Sequence, residues 1–317
     1  MDRIVMHVYA KIKISVLACV TAALAPVGSF ADNAGLAVQV LDTRILMEPR
    51  IDDLKIAELS GLAYDSASRR VYAVSDRSRL FAFDLDLSGA RIAALAPVSG
   101  RTLMSGDGVA MRDLGFNPED IVRNDDDTFM IVSEAGPRIS QFSRDGTWLA
   151  DVAVPDALSD VSKQRSDNDG LESLAAHPTL GLLTAPEEPL EAAPRHIHTI
   201  HAETGETLSF DTTETGTTSI KALNVLPDGR LLVLERDRAA DDSLLAFLRV
   251  LDPMRCVASG MCDTDVAQIM VPDIDDADFE GLTRVGDDLY LIVSDDKIGR
   301  EDRSVFALLR VTLPARR

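Results

Sequence analysis

Residues 278–295 contain the pattern that decides the fold. They read DFEGLTRVGDDLYLIVSD. A short apolar run follows Glu280, residues 286–288 are typical of a turn, and a second apolar run ends in Ser294 and Asp295. This pattern predicts two antiparallel strands. It places the acid that precedes the first strand and the acid that follows the second at the same edge.

Four earlier stretches of the chain repeat this unit. The five copies begin at Ser60, Glu119, Glu172, Lys221 and Glu280, which are 59, 53, 49 and 59 residues apart. An apolar run ends at an acid about fifteen residues after each start, and these acids are Asp76, Glu134, Glu187, Glu235 and Asp295. A repeat of roughly 50 residues made of short strands is typical of a β-propeller blade.

The repeat therefore predicts an all-β fold, a propeller of four-stranded antiparallel blades. Five blades account for nearly all of the chain after the N-terminal segment, and residues 36–46 are predicted to supply the outer strand that closes the last blade. Two alternatives stay open. A sixth blade would have to lie within residues 94–116, and a two-layer β-sandwich would leave the repeat unexplained.

Charge and composition limit the partners. The chain has 317 residues, with 32 Lys and Arg against 52 Asp and Glu, which gives a formal charge of −20. Nucleic acids and anionic lipid surfaces require a basic footprint, so neither is an expected partner. We expect a monomer that binds a small molecule.

The N-terminal residues resemble a targeting signal. Basic residues precede an apolar run, and small residues before position 32 fit a cleavage site. We therefore expect residues 1–31 to be a signal peptide, residues 32–317 to form one propeller domain without a membrane anchor, and the protein to be periplasmic or secreted. A lipoprotein signal at Cys19 is the alternative. In an oxidising compartment, Cys256 and Cys262 are expected to form a disulfide.

The repeat also predicts a site. The first strand of each blade lines the central channel, so the acid pairs of successive blades should form an acidic ring at one end of it. The expected pairs are Glu119 with Glu134, Glu172 with Glu187, Glu280 with Asp295, Ser60 with Asp76, and Lys221 with Glu235. Crowded carboxylates bind protons or cations, and calcium suits a flexible set of oxygen ligands. The alternative is that each acid is a solvated turn residue.

Further charged residues accompany the ring. The acids among them are Asp167, Asp169, Asp273, Asp275, Asp276 and Asp278, of which Asp278 is included among the expected metal ligands. The basic ones are Arg77, Arg236 and Lys297. A cation with an arginine beside it could hold a phosphoester, so Arg236 is the candidate phosphate ligand, although structural salt bridges would explain the same residues.

Several of these motifs resemble a known family. Asp278 to Leu282 and Leu291 to Asp296 look like the C-terminal signature of the "esterase-like activity of phytase" family. Three earlier segments resemble its other motifs, and they are residues 118–121, 169–174 and 231–236. The resemblance covers roughly Glu58 to Leu313. It implies a secreted or periplasmic propeller whose repeated acids carry phytase-type or phosphodiester hydrolysis.

The resemblance adds roles to individual residues. It implies Glu119, Glu172 and Glu280 as catalytic candidates, with Glu134, Glu187, Glu235 and Asp295 behind them. Ser60 and Lys221 depart from the acidic pattern. Two hypotheses follow: a calcium-supported phosphoester hydrolase, and a non-catalytic propeller that binds a ligand or a protein partner at the same mouth.

Overall fold

The computed structural model describes residues 35–47, 49–166, 168–272, 274, 277–295 and 303–316. Strands are the main regular structure in this part of the chain, with one short α-helix and two 3₁₀ helices among the described residues. The predicted signal peptide lies outside the described residues, as do Asp167, Asp273, Asp275, Asp276 and Lys297. None of the helices within the described ranges is long and apolar enough to cross a membrane.

The strands form five four-stranded antiparallel blades and one small hairpin. Strand β1 spans Ala37–Met47, and the hairpin follows as β2 (Arg50–Ile51) and β3 (Leu54–Lys55). Blade 1 contains β4 to β7, which span Leu59–Asp65, Arg70–Ser75, Arg79–Ser88 and Arg91–Thr102. Blade 2 contains β8 to β11, which span Pro118–Arg123, Phe129–Ser133, Arg138–Phe142 and Trp148–Val152.

The remaining three blades repeat this arrangement. Blade 3 contains β12 to β15, which span Leu171–His177, Gly181–Pro186, Ile197–Ala202 and Thr207–Asp211. Blade 4 contains β16 to β19, which span Ser219–Val225, Leu231–Arg238, Leu244–Leu251 and Thr264–Ile269. Blade 5 contains β20 to β22, which span Asp278–Arg284, Leu289–Asp295 and Arg303–Thr312, with β1 as its fourth strand.

The described strands close into a ring of five blades, as predicted. Each inner strand packs against the next, from β4 through β8, β12, β16 and β20 back to β4. Strand β1 pairs antiparallel with β22, from Ala37 opposite Thr312 to Met47 opposite Arg303. The N-terminal strand therefore completes the last blade. The segment considered for a sixth blade contributes the outer strand β7 and a 3₁₀ helix at Met111–Leu114.

A short helix and a disulfide lie between the last two strands of blade 4. Helix α1 spans Pro253–Ser259, and the side chain of Asp252 caps it by accepting a hydrogen bond from the Met254 N–H. Cys256 and Cys262 form the expected disulfide. A second 3₁₀ helix lies at Val161–Lys163, before blade 3.

The hydrophobic core lies between neighbouring blades. Phe83 of blade 1 meets Phe306 of blade 5 edge to face, with ring centroids 5.5 Å apart. Tyr72 packs on Phe129 across the interface between blades 1 and 2, at 4.7 Å. Apolar faces of adjacent sheets thus bury each other, and this packing orients the inner strands around a common axis.

The inner strands approach closely enough at one point to require glycine. A Cβ atom on Gly61 would lie 2.6 Å from the Cα of Asp120 and 2.9 Å from the Glu119 carbonyl oxygen in the neighbouring blade. Backbone atoms cannot give way as a flexible side chain can. Gly61 therefore sets how tightly blades 1 and 2 meet at the channel.

We predict that Gly61→Ala destabilises the protein by about 1–3 kcal/mol, the usual cost of overpacking a tight contact. Gly106→Ala is the matched control, because its new Cβ would approach nothing nearer than 3.8 Å. Thermal unfolding of the two variants measures the difference. An equal effect of both substitutions would contradict the close approach of the two blades.

Candidate active site at the acidic mouth

Each inner strand carries a β-bulge where the repeat begins. In blades 2 to 5 one residue is out of register with the second strand, and in blade 1 the irregular stretch holds two. The bulged residues are Ser60 with Gly61, Glu119, Glu172, Lys221 and Glu280. Because a bulge re-aims the side chain it carries, five equivalent bulges can direct five side chains to one end of the channel.

The bulged acids meet at that end, which we call the mouth. One carboxylate oxygen from each of Glu119, Glu172 and Glu280 lies within 4.8 Å of the others. All three side chains are buried. Two further groups overlap with this one, and they consist of Glu134 with Glu172 and Glu187, and of Asp278 with Glu280 and Asp295. Seven of the eight nominated metal ligands thus lie in three adjoining clusters.

Lys221 supplies a positive charge to these clusters. Its Nζ lies 2.5 Å from Glu172 and 2.8 Å from both Glu187 and Glu280. The side chain is only 3% exposed. Burial disfavours the charged ammonium, but the three carboxylates outweigh that effect and hold the pKa of Lys221 well above its usual value. The residue that interrupts the acidic pattern of the sequence is therefore its internal counter-ion.

Arg236 is the second cation of the mouth. One terminal nitrogen donates to Glu187 at 2.6 Å, and the other lies 2.8 Å from Asp278 and 3.5 Å from Glu280. The sequence nominates Arg236 as a phosphate ligand. The structure gives both of its terminal nitrogens carboxylate partners, so a phosphate would reach them only by exchange.

Glu235 is the nominated acid that the structure places in a different environment. Its carboxylate is fully buried and accepts hydrogen bonds from the Thr218 hydroxyl and from the guanidinium of Arg249. Arg249 is itself fully buried and also pairs with Glu214. This network joins strands of blade 4 to the end of blade 3. The prediction that Glu235 belongs to the acidic ring is wrong.

The register of blade 4 explains the displacement. Strand pairing places Glu235 opposite Ile220 and Arg236 opposite Ser219. Arg236 therefore occupies the repeat position that holds an acid in blades 3 and 5. A spacing of fifteen residues separates the bulge from this position in blades 2, 3 and 5. Counting fifteen residues from Lys221 gives Arg236, so the spacing in the sequence could have identified Arg236 as the residue at this position.

The other side of the mouth has no such counter-ion. The Asn117 side-chain amide donates to Glu119 at 2.7 Å and to Glu134 at 3.1 Å. In the described ranges, no lysine, arginine or histidine nitrogen lies within 4.0 Å of either carboxylate. Burial, followed by repulsion from Asp76 and Glu172, raises the pKa of Glu119 well above its usual value. Sequence reasoning did not nominate Asn117.

Asp76 adds a further acid to this uncompensated side. Burial and repulsion from Glu280 and Glu58 raise the pKa of Asp76 to about 8. The Ser60 hydroxyl, which donates to the Pro118 carbonyl oxygen at 2.8 Å, offsets part of this rise in the pKa of Asp76. The Oδ1 atom of Asp76 is buried, and no described group hydrogen bonds to it. The Arg77 guanidinium donates two hydrogen bonds of 2.7 Å to the carboxylate of Glu58.

The residues present fit a hard divalent cation. Two ligand oxygens on opposite sides of a calcium ion lie about 4.6–5.2 Å apart, because each Ca–O distance is about 2.3–2.6 Å. Within each acidic group the ligand oxygens lie no more than 4.8 Å apart, which is compatible with this requirement. The buried, unbonded oxygen of Asp76 also indicates a demand for a proton or cation. These clusters can therefore hold a metal.

The protein is a five-bladed propeller with an acidic mouth, and a family comparison assigns it to a class. The chain belongs to the Phytase-like family, described as "esterase-like activity of phytase", whose pattern it matches over residues 55–298. This confirms the resemblance read from the motifs. No curated protein matches the sequence significantly.

Solved structures share only the general architecture. Virginiamycin B lyase from Staphylococcus aureus is 9% identical, with 87% of this chain and 100% of that chain covered and a TM-score of 0.40. A luciferin-regenerating enzyme is 11% identical, with 88% and 95% covered and a TM-score of 0.43. Similarities this low carry no functional information.

We predict that Glu119→Gln raises the melting temperature of the calcium-free protein at a pH above the raised pKa of Glu119, because it removes a buried charge that no described cation neutralises. Glu172→Gln/Glu280→Gln should lower it, because Lys221 then loses two of its three partners. Breaking buried ion pairs costs about 3–5 kcal/mol. Thermal unfolding in excess chelator measures both effects.

Mutual repulsion alone would make both changes stabilising, so the opposite signs test the ion pairs of Lys221. Glu191→Gln, the same substitution at an exposed site, is the control and should leave the melting temperature unchanged. A stabilised Glu172→Gln/Glu280→Gln variant would contradict the assignment of Lys221 as the counter-ion.

Proposed function

We propose that this protein is a divalent-cation-supported phosphoester hydrolase that acts at the acidic mouth, with calcium as the cation. One observation carries the proposal: an excess of acids over cations. The bulged residues and the ends of the second strands contribute seven acids, Asp76, Glu119, Glu134, Glu172, Glu187, Glu280 and Asp295. The same positions contribute two cations, Lys221 and Arg236.

Glu119 is the proposed central ion ligand, because its amide partner is not accompanied by any cation among the described residues. Glu172 and Glu280 would complete the ligand set through the carboxylate oxygens that do not contact Lys221, with Glu134, Glu187, Asp278 and Asp295 around them. When bound, the ion would polarise a phosphoryl oxygen and lower the pKa of a water molecule. Carboxylate oxygens suit this hard cation better than nitrogen or sulfur ligands would.

Glu134 is the proposed general base. It shares the Asn117 amide with Glu119, which places it beside the proposed ion. Burial is the main reason that the pKa of Glu134 is raised from its usual value. A carboxylate with a raised pKa accepts a proton from water more readily than a solvated one does. The proton of the attacking water would therefore pass to Glu134.

Arg236 is the proposed contact for the substrate phosphate. Its side chain is 15% exposed, whereas that of Lys221 is only 3% exposed. A phosphate can replace Glu187 or Asp278 on its planar guanidinium, because arginine pairs with either kind of oxyanion in the same forked geometry. Lys221 stays with its three carboxylates and does not contact the substrate.

We propose an extracytoplasmic location, periplasmic or secreted. The Cys256–Cys262 disulfide supports it, because such bonds persist mainly in oxidising compartments.

A non-catalytic propeller is the second candidate. The ion pairs of Lys221 and Arg236 favour it, because they already neutralise part of the mouth without any ligand. In that case the remaining acids would bind a cationic small molecule or a basic segment of a protein partner.

Turnover of bis(p-nitrophenyl) phosphate and of phytate, each measured with calcium and with excess chelator, separates the two candidates. We expect calcium-dependent hydrolysis that falls about 10²–10⁴-fold in Glu134→Gln, the usual cost of losing a general base. Glu191→Gln should keep full activity. Purified, folded protein that hydrolyses neither substrate at any calcium concentration would exclude the hydrolase and leave the binding protein.

A further inference from the structure

Lys221 binds three carboxylates as a metal ion would. Glu172 and Glu187 belong to blade 3 and Glu280 to blade 5, and all three approach Nζ within 2.5–2.8 Å. Two oxygens that each lie 2.8 Å from one centre can be at most 5.6 Å apart. A calcium ion, whose oxygen ligands lie at about 2.3–2.6 Å, could take the place of Nζ if the oxygens of Glu187 and Glu280 moved inwards by about 0.2–0.5 Å.

The position of Lys221 in the repeat shows how the cation is supplied. It occupies the bulge of blade 4, and the equivalent bulges of blades 2, 3 and 5 carry glutamates. One member of the ring thus contributes the charge that its neighbours need. Because this ammonium is covalently attached, its concentration at the mouth is fixed and no chelator can remove it.

Lys221 leaves Glu119 uncompensated, which divides the mouth into two halves. On one side, Lys221 and Arg236 engage Glu172, Glu187, Asp278 and Glu280. On the other, Glu119 and Glu134 share the Asn117 amide, Glu134 also accepts a hydrogen bond from the Gly170 backbone, and no cationic nitrogen of the described residues pairs with either. The side of the mouth that needs an exchangeable cation is therefore the one that holds Glu119 and Asp76.

We propose that Lys221 is a tethered cation that takes the place of one metal ion. It limits the mouth to a single exchangeable ion beside Glu119, and its removal opens a further divalent-cation site between Glu172, Glu187 and Glu280. The presence of an ion beside Glu119 depends on the proposed function. The role of Lys221 in place of a metal ion does not depend on it. Lys221 is thus a residue that sets the metal stoichiometry of the protein.

The test counts bound calcium by equilibrium dialysis and isothermal titration of chelator-treated protein with Ca²⁺ alone. We expect Lys221→Gln to bind one more ion per chain than the wild type does. Lys221→Arg keeps a cation at this position and should match the wild type. The melting temperature of Lys221→Gln should be below that of the wild type in chelator and should rise more on addition of calcium, because a ligand stabilises the state that binds it.

A charge-compensated variant keeps the test decisive if Lys221→Gln folds poorly. Lys221→Gln/Glu172→Gln removes one cation and one acid together, so it should fold without calcium but gain no ion. If Lys221→Gln folds only in the presence of calcium while the double variant needs none, the proposal is supported.

The proposal is overturned if folded Lys221→Gln binds the same number of ions as the wild type, or if calcium fails to restore an unfolded one. Neither result depends on turnover. Inactive wild-type protein would instead contradict the hydrolase hypothesis, whatever number of ions the variants bind.

Discussion

Charge balance at the mouth is the constraint on which the rest of this structure depends. Buried carboxylates repel one another and are costly to remove from water unless cations or hydrogen bonds compensate them. Lys221 and Arg236 compensate one side, whereas on the other Glu119 and Glu134 have hydrogen-bond donors but no ion-pair partner among the described residues. A fold that tolerates this imbalance must hold the acids in place by packing between blades, and the consequence is a set of acidic clusters that could hold a metal ion.

The repeat makes such a site easy to assemble and to modify. The bulge occurs at the same place in every blade, so a single substitution at that place changes the chemistry of the mouth without changing the fold. The bulge position carries a serine in blade 1, a glutamate in blades 2, 3 and 5, and a lysine in blade 4. Gly61 shows the limit of this freedom, because its neighbours across the blade interface are backbone atoms.

Much of this arrangement could be predicted from the sequence, because period and polarity are local properties. The five repeats gave the blades, the closing strand and seven of the acids that meet at the mouth. The strand register was harder to predict, because a bulge shifts the pairing by one residue. In blade 4 this shift places Arg236, and not Glu235, at the repeat position that faces the mouth. The role of Lys221 was hidden for a different reason. Its partners come from blades 3 and 5, and no sequence spacing reports contacts across a ring.

Anomalous diffraction from crystals of the wild-type protein grown with calcium would show directly which ions occupy the mouth. We predict one calcium peak there, bonded to Glu119 at about 2.3–2.6 Å, with Nζ of Lys221 still on Glu172, Glu187 and Glu280. A mouth without any peak, or a peak between those three carboxylates with the ammonium displaced into solvent, would contradict it.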